Sequence, residues 1–113
     1  MKYHCYVLSL FIILNSFQIN KAVSSENQSL DKEVLSGLDF IYNLRFDEAE
    51  SLFKKMQKTN PNDVRGYFYE SMIYFYKALP SRDENYFEKY TDLSDIVIQK
   101  SEDLLDKNEN DYD

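Results

Sequence analysis

The sequence predicts an all-α protein of antiparallel helix pairs, with an extended last helix, following an N-terminal signal peptide. Three observations predict it. Apolar residues recur at helical spacing at Leu30, Val34, Leu38, Ile41 and Tyr42, the one-sided stripe of an amphipathic helix. Helix breakers punctuate the chain at Asn60-Pro61 and at Pro80, where proline removes a backbone donor and restricts the residue before it. The tetrapeptide Asn60-Pro61-Asn62-Asp63 is echoed by Asn108-Glu109-Asn110-Asp111, so a unit that ends once ends a second time.

The chain has 113 residues, room for one small domain. Met1-Lys2 supplies a positive start, and the apolar run Cys5–Leu14 is followed by Asn15, Ser16 and Gln18, then by the small residues Ala22 and Ser24. That order is a secretory signal peptide, shorter than the roughly 20 apolar residues of a spanning helix, with cleavage expected after Ser24. The alternative is an uncleaved N-terminal membrane anchor. The single cysteine, Cys5, and the single histidine, His4, both lie in this segment. Its removal therefore takes thiol and imidazole catalysis, zinc ligation and disulfides out of the mature chain together. It also leaves 11 basic residues against 20 acidic ones, a formal charge of −9. Such a surface repels nucleic acid and anionic lipid, so neither is expected as a partner.

Ser25–Ser29 reads as a polar, structureless spacer containing the glycosylation-acceptor pattern Asn27-Gln28-Ser29. A first helix is expected over about Leu30–Asn43. Gly37 in its interior costs about 1 kcal/mol relative to alanine, which close approach of a second helix would justify. After a turn at Asn43–Phe46, that second helix is expected to start on Asp47 as N-cap, with Glu50 completing a capping box. It buries Ala49, Leu52, Phe53 and Met56 and ends at Asn60-Pro61. Asp63 caps a third helix from Val64 to about Leu79, stopped by Pro80. A fourth runs from about Glu84 to Lys107, carrying Phe87, Tyr90, Leu93, Val97, Leu104 and Leu105. Its alternative is a short helix over Glu84–Tyr90 that breaks at Thr91-Asp92.

The spacing of Gly37, Phe40, Ala49, Phe53 and Pro61 resembles the tetratricopeptide repeat, a helix–turn–helix of about 34 residues with the pattern G-x2-Y…A-x3-F…P. Glu33 and Ser36 stand where the family has Trp and Leu. On this frame residues 30–63 form a first repeat. A second begins at Val64, with Tyr67, Ser71 and Tyr74 at the large, small and tyrosine positions and Glu70 departing from the family's Leu. The terminating echo comes 48 residues after the first instead of 34, so this repeat, 64–111, carries a 14-residue extension. Residues 112–113 read as the start of a third repeat or as a tail. Since such units bury themselves against neighbours, the sequence reads either as the N-terminal part of a longer envelope protein or as a chain that self-associates through its last helix pair. The resemblance implies a secreted or periplasmic scaffold for a protein or peptide partner.

The run Tyr67-Phe68-Tyr69…Tyr74-Phe75-Tyr76 puts aromatics on every side of one helix. Tyr67, Ser71 and Tyr74 are expected to pack internally. Phe68, Tyr69, Met72, Phe75 and Tyr76 are the candidate interaction surface, for a peptide or, alternatively, for a carbohydrate or small ligand. Val34 and Leu38 occupy the positions where carboxylate-gripping members of the family carry polar residues, so that binding mode is not expected. No catalytic residue, cofactor or metal is assigned. Asp47, Glu48 and Glu50 sit in a first helical turn, where acids stabilise the helix dipole. The tail Asn108–Asp113 lacks the glycine and distant glutamate of a calcium loop, and reads as a frayed, solvated end. Gly37 and Gly66, each isolated, make no phosphate loop.

Overall fold

The computed structural model describes residues 25–111, which form four helices: α1 over 25–42, α2 Phe46–Thr59, α3 Arg65–Ser81 and α4 Glu84–Asn110. The signal peptide, its cleavage site and residues 112–113 lie outside the described residues. Two compact units divide after Lys32. Of the first, residues 25–32 are helical and, apart from Leu30, exposed. Residues 25–29 are thus the start of α1 and not a structureless spacer, since nothing in Ser-Glu-Asn-Gln-Ser breaks a helix. Everything below concerns the second unit.

Contacts run in opposite directions along successive helices, so the helices pack antiparallel. Gly37 meets Phe53 and Glu33 approaches Lys55 between α1 and α2. Phe53 stacks on Tyr69, and Glu50 pairs with Tyr74, between α2 and α3. Lys100 lies over Tyr67, and Phe75 meets Tyr90, between α3 and α4. The core holds Val34, Ile41, Ala49, Phe53, Met56, Ile73, Tyr74 and Ala78. Gly37 is buried because a Cβ there would fall 2.6 Å from Phe53 Cε1, inside the ring's van der Waals envelope. Gly66 serves the next helix pair in the same way, with Gln57 and the Phe53 carbonyl about 3 Å from where its Cβ would sit.

The ends of the helices depart from the sequence expectation for local reasons. At the end of α1 the Arg45 N–H donates to the Phe40 carbonyl and the Leu44 N–H to that of Ile41, with Leu44 left-handed at φ 60°. This is a Schellman closure, and it returns the chain to helix at Phe46. Arg45 is therefore the N-cap of α2 and Asp47 is not; no side chain caps this end. Glu50 cannot close a capping box and turns to Lys54 and Tyr74 instead. Tyr42, expected in the buried stripe, is 86% exposed, one residue before the chain turns.

Asn60-Pro61 does end α2. The third helix starts at Arg65 and its N-cap is Val64, not Asp63; the Asp63 carboxylate instead accepts the Arg65 N–H at 2.9 Å and grips the Arg65 guanidinium, which holds its carboxyl below the usual range. The α3 helix does not stop before Pro80; it continues to Ser81. Pro80 lies in the final turn, so one bond, to the Tyr76 carbonyl, is forgone. The Ser81 hydroxyl takes the Lys77 carbonyl, and the Arg82 N–H takes that of Ala78.

Asp83 is a true side-chain N-cap for α4, accepting the Asn85 N–H at 2.9 Å. This helix is continuous for 27 residues against 14 in α2. It passes Lys107 to Asn110, so the expected frayed end is helical up to that point; Glu109 stands where Pro61 stands in the first tetrapeptide. Phe87, Leu104 and Leu105, expected on its buried side, are exposed, while Tyr90, Leu93 and Val97 are half-buried. No helix among the described residues is long and apolar enough to cross a membrane.

Candidate functional site

At 100° per residue, α3 has two opposite arcs. Gly66, Glu70, Tyr74 and Lys77 share one; Phe68, Met72, Phe75, Tyr76 and Leu79 share the other. The first arc is polar and satisfied. Glu70 is 4% exposed and accepts a short hydrogen bond from Gln57 Nε2, with Lys54 Nζ at 3.8 Å. Burial pushes its carboxyl above the usual range, against the opposing effect of the Gln57 bond. Glu50 accepts from Lys54 Nζ at 2.5 Å and from the Tyr74 hydroxyl at 2.8 Å. Burial raises its pKa, but those two hydrogen bonds outweigh it and the carboxyl sits below its ordinary value. Burial first, then the bond to Glu50, pushes the Tyr74 phenol upward. Lys77 and Lys89 lie 5.8 and 5.1 Å from the Tyr74 ring centroid, cation–ring contacts that place positive charge beside these acids.

The second arc is apolar and open. Between α3 and α4 lies a groove of about 400 Å3. Phe68, Met72, Phe75 and Tyr76 line it from α3, with Ser71 at its base; Tyr90, Ser94, Val97 and Ile98 line it from α4. Phase-matched spacing on both helices makes this alignment. The Phe75 and Tyr90 rings, 5.4 Å apart, tie the walls together. On the other side of Met72 and Tyr76 is a second groove of about 530 Å3, bounded by Leu38, Ile41 and Tyr42 of α1, Leu44 of the turn, Phe46 at the start of α2, and Pro80. Met72 and Tyr76 belong to both. Among the described residues no charged side chain lines either groove.

Four of the five candidate surface residues, Phe68, Met72, Phe75 and Tyr76, thus come together. Tyr69 does not join them. Its ring stacks on the buried Phe53 at 5.5 Å and meets Phe68 edge-on at 5.1 Å, so it belongs to the α2–α3 packing. The sequence pattern does not mark the α1 and turn residues of the second groove: Leu38, Ile41 and Tyr42 all read as the buried stripe of α1. It also missed the Glu50–Glu70–Tyr74 network, although Glu70 at an expected leucine position was its signal. Among the described residues no group of acidic side chains is arranged to hold a metal ion.

The fold and this surface define an all-helical protein presenting an uncharged aromatic face. Comparison with protein-family models, with curated proteins and with solved structures gives no match for the chain.

Proposed function

We propose that this protein is a non-catalytic protein–protein interaction scaffold of the tetratricopeptide type, exported to the cell envelope. It holds a protein or peptide partner on the face formed by Phe68, Met72, Phe75 and Tyr76. The observation that carries this reading is the pair of uncharged grooves joined through Met72 and Tyr76. An exposed apolar surface of this kind marks an interaction site, and a groove between helices suits an apolar segment better than a polar solute. Among the described residues, the polar side chains lining the α3–α4 groove are those of two serines and two tyrosines, too few to fix a sugar by hydrogen bonds. The repeat arrangement is supported by the antiparallel succession of helices and by the Gly37–Phe53 contact, which falls on the family's small and aromatic positions. Export rests on the leader sequence.

The test is peptide selection on the protein followed by hydrogen exchange of the complex. Protection is expected in 68–76 and 90–98, and Met72→Ala with Tyr76→Ala should weaken binding by about tenfold or more. Protection confined to α2, or binding indifferent to both substitutions, would refute the reading.

A further inference from the structure

We propose that the α3–α4 groove receives a cationic amphipathic helix of the partner protein; this rests on the scaffold reading above and names the chemistry of what is held. The groove is elongated along the helix axes. Its α4 wall, from Tyr90 to Ile98, advances by two turns, about 12 Å, and the Phe68, Met72 and Phe75 wall keeps the same step. A segment lying in it must present apolar residues at i, i+3 or i+4, and i+7, as helices in grooves do.

On α4 the row nearest this groove is acidic, and the lysines lie away from it. Around the helix axis, the strip Phe87, Ser94, Ile98 and Leu105 faces the open side, and Phe87, Ile98 and Leu105 are 41, 55 and 63% exposed. Glu88, Asp95 and Glu102, seven residues apart, form the row beside that strip on its outer flank, all exposed. Lys89, Lys100 and Lys107 lie on the far side of the helix from the strip, next to Asp103 and Asp106. There Lys89 covers the Tyr74 ring, and Lys100 covers Tyr67 while donating to the Pro61 carbonyl at 2.7 Å. Among the described residues the groove's own walls carry no cation, and its outer edge carries a straight acidic row. A helix docked on the strip would lie with one flank against Glu88, Asp95 and Glu102, and lysine or arginine there complements them, as flanking charges choose partners in paired helices. A second copy docked antiparallel through α4 about a two-fold axis would bring the same acidic row against itself, and an anionic surface is disfavoured for the same reason.

The test is a phage-displayed library of helical segments with apolar residues at i, i+3, i+4 and i+7 and randomised flanks, selected on the full chain. Lysine and arginine are expected to be enriched over aspartate and glutamate in the flanks. For a selected peptide, the triple variant Glu88→Gln, Asp95→Asn, Glu102→Gln should raise Kd by about five- to tenfold at low salt. That difference should shrink as salt rises from about 50 to 500 mM. Ile98→Ser should weaken cationic and neutral peptides alike. Binders with neutral or acidic flanks, unaffected by the triple variant, would overturn the charge assignment and leave the scaffold reading standing. Cationic binding insensitive to Ile98→Ser would mean attachment outside the groove and overturn the docking site. Concentration-dependent dimers abolished by Ile98→Ser would assign the groove to a second copy. The absence of any binder would overturn this inference and the scaffold reading together.

Discussion

Gly37→Ala should destabilise this protein although alanine is the better helix former. In the interior of α1 the exchange gains about 1 kcal/mol of helix propensity. Against this, the new methyl carbon would lie 2.6 and 3.0 Å from Phe53 Cε1 and Cε2, with Cζ nearer still. A ring at the end of a free side chain would swing aside. Phe53 is fully buried, with Tyr69 stacked 5.5 Å away at an interplanar angle of 24°, so relief must come from parting α1 and α2. Overpacking of this kind costs about 1–3 kcal/mol, leaving a net loss of about 1 kcal/mol once the propensity gain is taken off. Urea unfolding followed by far-ultraviolet circular dichroism measures it. Phe53→Leu supplies the control. It removes the ring atoms that collide, so the double variant should be more stable than the sum of the two singles by about 1–2 kcal/mol. A Gly37→Ala protein at least as stable as the parent, with effects that add, would refute the claim that close approach explains this glycine.

Two further substitutions test the turn and the buried acid. Leu44 is left-handed and 75% exposed, so Leu44→Gly should gain about 0.5–1 kcal/mol, the relief of a strained φ less the extra freedom of the unfolded chain; thermal unfolding reads it as a rise in Tm. Glu70→Gln keeps an acceptor for Gln57 and removes a charge whose burial raises its pKa. A raised carboxyl contributes most below its unfolded value of 4.5 and loses that contribution as pH climbs through the folded value. The variant should therefore match the parent near pH 4 and exceed it in stability at pH 7; a gap that widens toward acid would contradict the assignment.

Helix existence was legible in the sequence because α1 and α2 have contrasting faces, and Gly37, Phe53 and Pro61 marked the packing and the break. Helix ends were less so. Asp47 is a good capping residue placed two positions too late, because the Schellman closure at Leu44 returns the chain to helix at Phe46. Pro80 reads as a stop, yet a proline in the last turn forfeits a single bond. On α3, aromatic residues on every side remove the contrast that tells inside from outside. Tyr69 and Tyr76 look equivalent in sequence; one stacks on Phe53 and the other lines both grooves. Only the positions of α2 and α4 separate them.

The same limitation hides the charge pattern of α4, where Glu88 and Lys89 are neighbours and net charge says nothing of which flank each takes. Exchanging them, Glu88→Lys with Lys89→Glu, keeps composition and charge constant and reverses the geometry. Lys89 now lies 5.1 Å from the Tyr74 ring centroid and lowers the electrostatic cost of Glu70. A carboxylate at position 89 would lose the cation–ring contact, worth about 0.5–1 kcal/mol, and add a like charge beside Glu50 and Glu70. Stability should fall by roughly 1–2 kcal/mol at pH 7, and by less near pH 4, where Glu70, whose pKa burial raises, no longer carries its charge. Meanwhile a lysine at position 88 interrupts the acidic row, and a cationic peptide should bind several-fold more weakly. A swapped protein with unchanged urea midpoint and unchanged peptide affinity would show that the two flanks of α4 are interchangeable, and the sorting of its charges would then carry no meaning for either the core or the groove.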